Sequence, residues 1–284
     1  MKIFERFRSS AAALLFLPLL PGTLRAQAAA NSTESGCLNS HVVSVPSRPT
    51  VTNATDPTQC GVVEVEYGYD HQWLAEDKHH DDLAGGLRFG LTPNLDFHWF
   101  SASLFSVADA GGSRSGFGDT WLGLKYRFVT QTKRRPSFAV FYAAKIPSAS
   151  YLKGLGSGEV DHSVSFLASK DISRLHLDFN LIELIAGRPV APGNDHSTGF
   201  ALASWLTLTR HLALVVEPYG YTQLNQSTGA FASMMAGCNF KVGGRTYLDA
   251  GVDFGMTHEA ADKRAYVGAT YALANVYTLI KPRR

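Results

Sequence analysis

The chain has 284 residues and a formal net charge of +2, and only 18% of its residues are charged. An average soluble domain carries about 25% charged residues. The near balance of charge, without a basic stripe interleaved with aromatic residues, excludes nucleic-acid binding as a function. Three cysteines are too few for a disulfide scaffold, and their spacing fits no zinc knuckle.

The first segment of the chain has the three parts of a secretory signal peptide. Residues 1–8 carry three basic side chains, residues 11–20 form an apolar run, and Ala26-Gln27-Ala28 is a small-x-small cleavage pattern. We therefore predict a signal peptide over residues 1–28 and an exported protein. No later segment reaches the roughly 18 apolar residues that a transmembrane helix needs.

The next segment, residues 29–60, is rich in Ser, Thr, Asn, Val and Pro and has no sustained periodicity. This composition predicts an irregular N-terminal extension in the periplasm. Cys37 and Cys60 lie in this extension, whereas Cys238 falls within a later predicted strand. Because the periplasm is oxidising, we predict a disulfide between Cys37 and Cys60.

From Gly61 onward, side chains alternate between two faces with a period of two, which is typical of β-strands. Residues 116–128, GFGDTWLGLKYRF, show the alternation most clearly. One face of this segment is apolar and carries Leu122, Leu124, Tyr126 and Phe128. About twelve such segments follow one another. They predict an all-β protein with an antiparallel transmembrane β-barrel over residues 61–273 and a C-terminal tail at residues 274–284.

The connections between these strands alternate between long and short. The longer ones are residues 70–82, 101–115, 147–159, 183–198, 222–228 and 257–264. The shorter ones are residues 92–94, 129–136, 170–173, 209–211 and 242–244. Outer-membrane barrels have short periplasmic turns and longer outer loops, so this parity favours a barrel over a secreted soluble β-protein.

Four motifs of the chain resemble a known family. They are residues 116–128, Lys145-Ile146-Pro147, LGSGEVDHSVSFLASKDI (155–172) and YLDAGVDFGM (247–256). They resemble the bacterial outer-membrane family described as "putative MetA-pathway of phenol degradation", over roughly residues 61–273. The resemblance implies an outer-membrane β-barrel transporter for small aromatic or other apolar compounds, and it implies no catalytic residues.

The chain departs from the family pattern in two places. Pro147-Ser148-Ala149 stands where the family more often has Pro-Thr-Gly. The chain also ends in Lys281-Pro282-Arg283-Arg284, where barrels typically end in an aromatic residue.

The inward face of the predicted barrel carries charges of both signs. The candidates for lining the lumen are Arg88, Asp96, Lys125, Arg127, Lys145, Asp178, Glu217, Asp249 and Asp253, together with Glu64, Glu66 and Asp119. These residues fit a polar conduit for solutes. They fit equally a plugged lumen in which paired ions stabilise a barrel with a structural or surface-interaction role.

Neither an enzyme nor a metal site is predicted. A barrel hydrolase would need His-x-Ser on one strand face, and none of the ten histidines has a serine two residues later. The densest cluster, residues 79–82 (His-His-Asp-Asp), is predicted to be a solvated outer loop.

No cofactor is expected. The expected partners are outer-membrane lipid and a small-molecule solute, and the oligomeric state stays open.

Overall fold

The computed structural model describes residues 36–74, 78–109, 112–189, 192–223 and 229–280. One antiparallel sheet of thirteen strands dominates these residues. The strands are β1 (Val62–Trp73), β2 (His79–Thr92), β3 (Leu95–Asp109), β4 (Gly112–Gly116), β5 (Thr120–Val129), β6 (Ser137–Ile146), β7 (Asp161–Ile172), β8 (Leu175–Gly187), β9 (Asn194–Thr207), β10 (Leu212–Tyr221), β11 (Phe231–Lys241), β12 (Thr246–Gly255) and β13 (Lys263–Asn275). Two short 3-10 helices, Gly36–Leu38 and Tyr151–Lys153, and one α-helix, α1 (Val276–Ile280), are also present.

The sheet closes into a barrel because β1 pairs with both β2 and β13, and β2 pairs with β3. Twelve strands form the closed wall. The thirteenth, β4, pairs with the C-terminal half of β3, while β5 pairs with its N-terminal half, Leu95 to Ser101. The prediction of an all-β, antiparallel barrel of about twelve strands is confirmed.

Side chains alternate between the lumen and the outer surface, as β5 shows. Leu122, Leu124 and Tyr126 point outward and are 37%, 46% and 54% exposed, whereas Lys125 points inward and is 1% exposed. This arrangement reverses that of a soluble protein, which buries apolar side chains and exposes charged ones. The charged groups inside the barrel therefore need partners there.

The two ends of the barrel differ in their connections. The turn end carries short connections such as residues 93–94 and 173–174, and the loop end carries long ones such as residues 147–160. The strands project further at the loop end than the sequence predicts, because residues 70–82 and 101–115 include the ends of β1, β2 and β3 and most of β4. Polar residues occupy both faces of these strand ends, so hydrophobic alternation does not mark them.

The barrel ends slightly later than predicted. Strand β13 continues to Asn275, beyond the predicted end at residue 273, and α1 lies within the predicted tail, residues 274–284. The predicted signal peptide, residues 1–28, lies outside the described residues. Within the described ranges, none of the helices combines the length and the apolar composition needed to cross a membrane.

Candidate functional site: a lumen with an internal belt

Residues 37–60, which we call the belt, run once around the inner wall of the barrel at its turn end. Polar contacts attach the belt, in chain order, to β1, β12, β10, β8, β7, β5 and β3, and its last residue reaches β2. The sequence predicts an irregular extension in the periplasm for residues 29–60. The described part is irregular, but it lies inside the lumen, because inward-facing polar groups of the wall bind it.

Inward-facing carboxylates hold the belt by its backbone. The carboxylate of Glu217 accepts hydrogen bonds from the amides of Val51 and Thr52 at 2.8 and 2.7 Å, and Glu64 accepts one from Val45 at 2.7 Å. Two further belt amides bind in the same way, Ser47 to Glu66 and Thr58 to Asp96. A buried amide without an acceptor costs about 1–3 kcal/mol, so these carboxylates stabilise the belt in the lumen.

Cationic side chains bind the belt on the side formed by β5. Lys125 Nζ donates to the carbonyl oxygens of Ala54 at 3.1 Å and Asp56 at 2.8 Å, and Arg127 forms an ion pair with the Asp56 side chain. Burial raises the pKa of the Asp56 carboxyl, and the positive charge of Arg127 opposes this shift. Hydrogen bonds that involve a charged group are stronger than neutral ones. The cationic side chains of β5, like the carboxylates of the other strands, therefore hold the belt firmly against the wall.

A disulfide joins the two ends of the belt, Cys37 and Cys60, which are the pair that the sequence singles out. Beside the disulfide, Asn275 Nδ2 donates to the carbonyl oxygens of Cys37, Asn39 and Cys60 at 2.9, 2.9 and 3.2 Å. Asn275 Oδ1 accepts a hydrogen bond from the amide of Tyr277 in α1. One buried side chain at the end of the last strand therefore connects both ends of the belt to the C-terminal helix.

Beyond the belt, toward the loop end, one side of the lumen is aromatic. Phe100 of β3 pairs in register with Trp121 of β5, and Phe141 of β6 lies over Gly123, where a Cβ atom would come within 2.6 Å of its ring. The ring of His98 lies 5.7 Å from Phe100 and 4.8 Å from Phe141. We call Phe100, Trp121, Phe141 and His98 the aromatic patch.

A second apolar cluster lies inside strands β9 to β13. Its buried members are Ala201, Ala203, Val215, Tyr219, Met235 and Tyr266, and Val51, Trp205 and Phe231 pack against them. The ring of Phe231 lies 6.2 Å from Tyr219 and 5.5 Å from Tyr221. The inner wall is therefore apolar on two sides, although its strands carry many inward charges, and the buried members of this second cluster pack against one another.

The long loop between β6 and β7 bends into the loop end of the barrel. Lys145 Nζ, on the inner wall, lies 2.8 Å from Ser157 Oγ of this loop. The loop amide of Ala149 donates to Asp119 at 3.0 Å. Lys145 also forms ion pairs with Asp161 at 2.5 Å and with Asp119 at 3.6 Å. The loop is thus fixed to inward-facing charges.

The structure places the charged candidates inside the barrel. Each is at most 7% exposed: Arg88, Asp96, Lys125, Arg127, Lys145, Asp178, Glu217, Asp249 and Asp253. Seven of them surround the belt, and two, Lys145 and Asp253, lie toward the loop end. The structure does not bring them together as one site, because they are distributed around the wall.

Sequence reasoning missed three parts of the lumen. It did not find the belt as the partner of the inward charges, nor Asn275, nor the aromatic patch. The patch left a signal in the sequence, because Trp121 and Phe141 fall on the inward face of strands whose other inward residues are small or polar. The belt left none, because its backbone amides make most of its contacts.

The histidine cluster at residues 79–82 begins β2 instead of lying in a loop. His79 and Asp81 fall on the outward face of this strand, and His80 and Asp82 fall on the inward face, so the four side chains diverge. Among the residues that the structure describes, no group of three or more His, Cys, Asp or Glu side chains is arranged to hold a metal ion.

Residues 47–273 match the family described as "Putative MetA-pathway of phenol degradation". The chain belongs to this family. The match begins within the belt, so the family pattern includes part of the belt as well as the barrel. No curated protein sequence matches the chain.

Two solved structures show a similar fold. The COG4313 outer membrane channel from Pseudomonas putida F1 has a TM-score of 0.61 at 13% identity, and the match covers 79% of this chain and 100% of that chain. The NanC porin has a TM-score of 0.50 at 8% identity, with 74% and 100% covered. At these identities the likeness shows that the three proteins share the barrel fold.

Proposed function

We propose that the protein is an outer-membrane channel that takes up small apolar or aromatic molecules. The observation that carries this proposal is the aromatic patch, which lies on the inner wall between the loop end and the belt. Aromatic solutes gain favourable edge and face contacts with such side chains. The belt narrows the turn end, so it would limit the size of the molecules that pass.

The outer surface of the barrel supports a location in the membrane. Exposed apolar side chains occur on neighbouring strands all around the wall, among them Leu124, Phe166, Leu202, Val216 and Leu248. Soluble monomers rarely expose contiguous apolar patches larger than a few hundred Å². In an outer membrane, the turn end would face the periplasm and the loop end the outside, so the belt would lie on the periplasmic side.

The comparisons agree with a channel. The family description refers to phenol degradation, and the two similar structures are an outer membrane channel and a porin. We assign no catalytic step to the barrel.

A second candidate function is that of a structural barrel with a plugged lumen. It is favoured by the belt, because the belt binds inward-facing side chains on most strands of the wall. In this case the inward charges would serve only to hold the belt, and no solute would cross.

Flux into liposomes distinguishes the two functions. Phenylalanine and serine are suitable probes, because they carry the same charged groups, and phenylalanine has a phenyl ring where serine has a hydroxyl group. A channel of the proposed kind should admit phenylalanine faster than empty liposomes do, and faster than it admits serine. No flux of either probe through a correctly folded barrel would support the structural role.

The aromatic patch is tested in the same assay with Trp121→Ala. An aromatic contact contributes about 0.5–1.5 kcal/mol, so the preference for phenylalanine should fall about fivefold. Tyr126→Ala is the matched control, because Tyr126 lies on the same strand but faces outward. An unchanged preference in Trp121→Ala would remove the patch from the proposal.

A further inference from the structure

The belt is continuous with the barrel at one end only. At residue 60 it runs directly into β1, so this end is fixed by the chain itself. At residues 37–39 it is held by the disulfide to Cys60 and by the donors of Asn275. Next along the belt, Gln59 binds the carbonyl oxygen of His41 and the amide of Val43. The first bonds to the wall are those of Ser44 to Gly244 and Glu64 and of Val45 to Glu64.

We propose that the Cys37–Cys60 disulfide is a redox latch that keeps the belt closed around the lumen. In the oxidised protein both ends of the belt are fixed at the same place on the wall. In the reduced protein only hydrogen bonds from Asn275 and with Gln59 hold the first residues of the belt. The belt then detaches from the end at residue 37, from β1 and then from β12. The turn end of the lumen widens as a result. The effect on solutes rests on the proposed channel function, whereas the latch itself does not.

The order of the wall contacts makes this detachment stepwise. Ser47 follows Val45 along the belt and binds Glu66, and Arg48 binds Asp249. Without the disulfide, the end at residue 37 can open its contacts one at a time, whereas a closed ring must open several at once. Closing a loop of this length favours the closed state by on the order of 100-fold in the chain-entropy description.

The contacts near Cys60 stay closed in both redox states. Thr58 binds Asp96, and Lys125 binds the carbonyl oxygen of Asp56, within a few residues of the fixed end. Reduction therefore divides the belt into a mobile first half and an anchored second half.

The reductant is a periplasmic dithiol, which supplies the two electrons. Its thiolate attacks Cys37 Sγ and forms a mixed disulfide, while the Cys60 sulfur leaves as a thiolate and takes up a proton. The second thiol of the reductant then attacks the mixed disulfide, releases Cys37 as a thiol, and leaves as an oxidised cyclic or internal disulfide. Attack falls on Cys37 because Cys60 is only 7% exposed, whereas Cys37 is partly exposed.

Hydrogen–deuterium exchange of the purified full chain in detergent micelles measures the opening of the belt's hydrogen bonds directly. In the oxidised protein, the amides of Val45 and Ser47 should exchange slowly, because buried carboxylates accept their hydrogen bonds. Dithiothreitol should accelerate exchange of these two amides by about 100-fold. The amides of Thr55 and Thr58, in the anchored half, should stay slow.

Two variants provide comparisons for this measurement, one without the disulfide and one control. Cys37→Ser/Cys60→Ser should show fast exchange at Val45 and Ser47 without any reductant. Cys238→Ser is the control and should behave like wild type, because Cys238 lies in β11 and is not disulfide-bonded. Reduction of the folded wild type keeps the test valid if the double variant fails to insert. Unchanged exchange at Val45 and Ser47, with mass spectrometry showing both thiols free, overturns the latch.

Flux in liposomes then separates the latch from the channel. Faster exchange together with faster phenylalanine flux after reduction supports both proposals. Faster exchange with no flux in either state supports the latch and overturns the channel. Flux without any change in exchange overturns the latch and leaves the channel standing.

Discussion

The guanidinium group of Arg48 crosses two glycines of the barrel wall to reach the carboxylate of Asp249. Gly268 pairs in register with both Asp249 and Gly68, so the three residues form one row across β12, β13 and β1. A Cβ atom on either glycine would collide with the Arg48 side chain. Arg48 Nε and Nη2 each lie 3.3 Å from Asp249. Because glycine has no side chain, Gly68 and Gly268 leave a space that the Arg48 guanidinium occupies. We call this space the seat.

Filling this seat should destabilise the barrel. We expect Gly268→Leu to displace Arg48 and to leave Asp249 buried without its ion partner, at a cost of about 3 kcal/mol in the free energy of unfolding. Urea titration in micelles measures this cost. Gly243→Leu is the matched control, because no atom lies within 4 Å of a Cβ at that turn. Equal unfolding midpoints for the two variants would show that the seat is unimportant.

Removing the carboxylate of Glu217 should loosen the middle of the belt. Glu217→Ala leaves the amides of Val51 and Thr52 without acceptors, and each lost bond costs about 1–3 kcal/mol. Glu217→Gln retains one oxygen and should lose less. Exchange rates of the two amides, measured together with stability, check the prediction. Glu183→Ala, at a side chain that is 42% exposed, should change neither, and equal losses at both glutamates would contradict it.

The outward face of β5 should tolerate no charge at its centre if the barrel lies in lipid. Leu124→Arg should cost about 2–4 kcal/mol in lipid vesicles, because arginine at the bilayer midplane is unfavourable. Thr130→Arg, just beyond the turn end of β5, should cost about 0–1 kcal/mol by the same rule. Unfolding in vesicles measures both. A stable Leu124→Arg protein that stays soluble without detergent would exclude the membrane location.

Replacing Asn275 should separate the belt ends from the C-terminal helix. Asn275→Ala removes the donor of three carbonyl oxygens and the acceptor that caps α1, so we expect a loss of about 1–3 kcal/mol. Amide exchange at Tyr277 and Thr278 should accelerate. Asn194→Ala, at an exposed position at the start of β9, serves as the control. Slow exchange at both α1 amides in Asn275→Ala would refute the capping role.

The barrel itself could be predicted because lipid and lumen make opposite demands on neighbouring residues. Leu124 and Lys125 are adjacent in the chain, and each suits only one side of the wall. The same alternation located most of the buried charges, but it missed Asp161 and Asp195, which lie where strands β7 and β9 begin at the loop end. It could not indicate what those charges bind.

The belt could not be predicted because its contacts are distant and involve the main chain. Thr52 is 165 residues from Glu217, and Arg48 is 201 residues from Asp249. Every residue except proline has a backbone amide, so no side-chain pattern marks the ones that bind a carboxylate. The sequence pattern of a polar segment without periodicity predicts a loop, whether the segment lies in water or inside a barrel.

The positions of the belt's partners in the sequence also determine the order in which its contacts can form. The belt is synthesised first, yet Asp249, Gly268 and Asn275 belong to the last two strands, and Asn275 is 238 residues from Cys37. Contacts this distant in sequence form slowly. The belt contacts with β1, such as that of Val45 with Glu64, can therefore form early, whereas the contacts of Arg48 with Asp249 and of Cys37 with Asn275 stay open until β12 and β13 arrive.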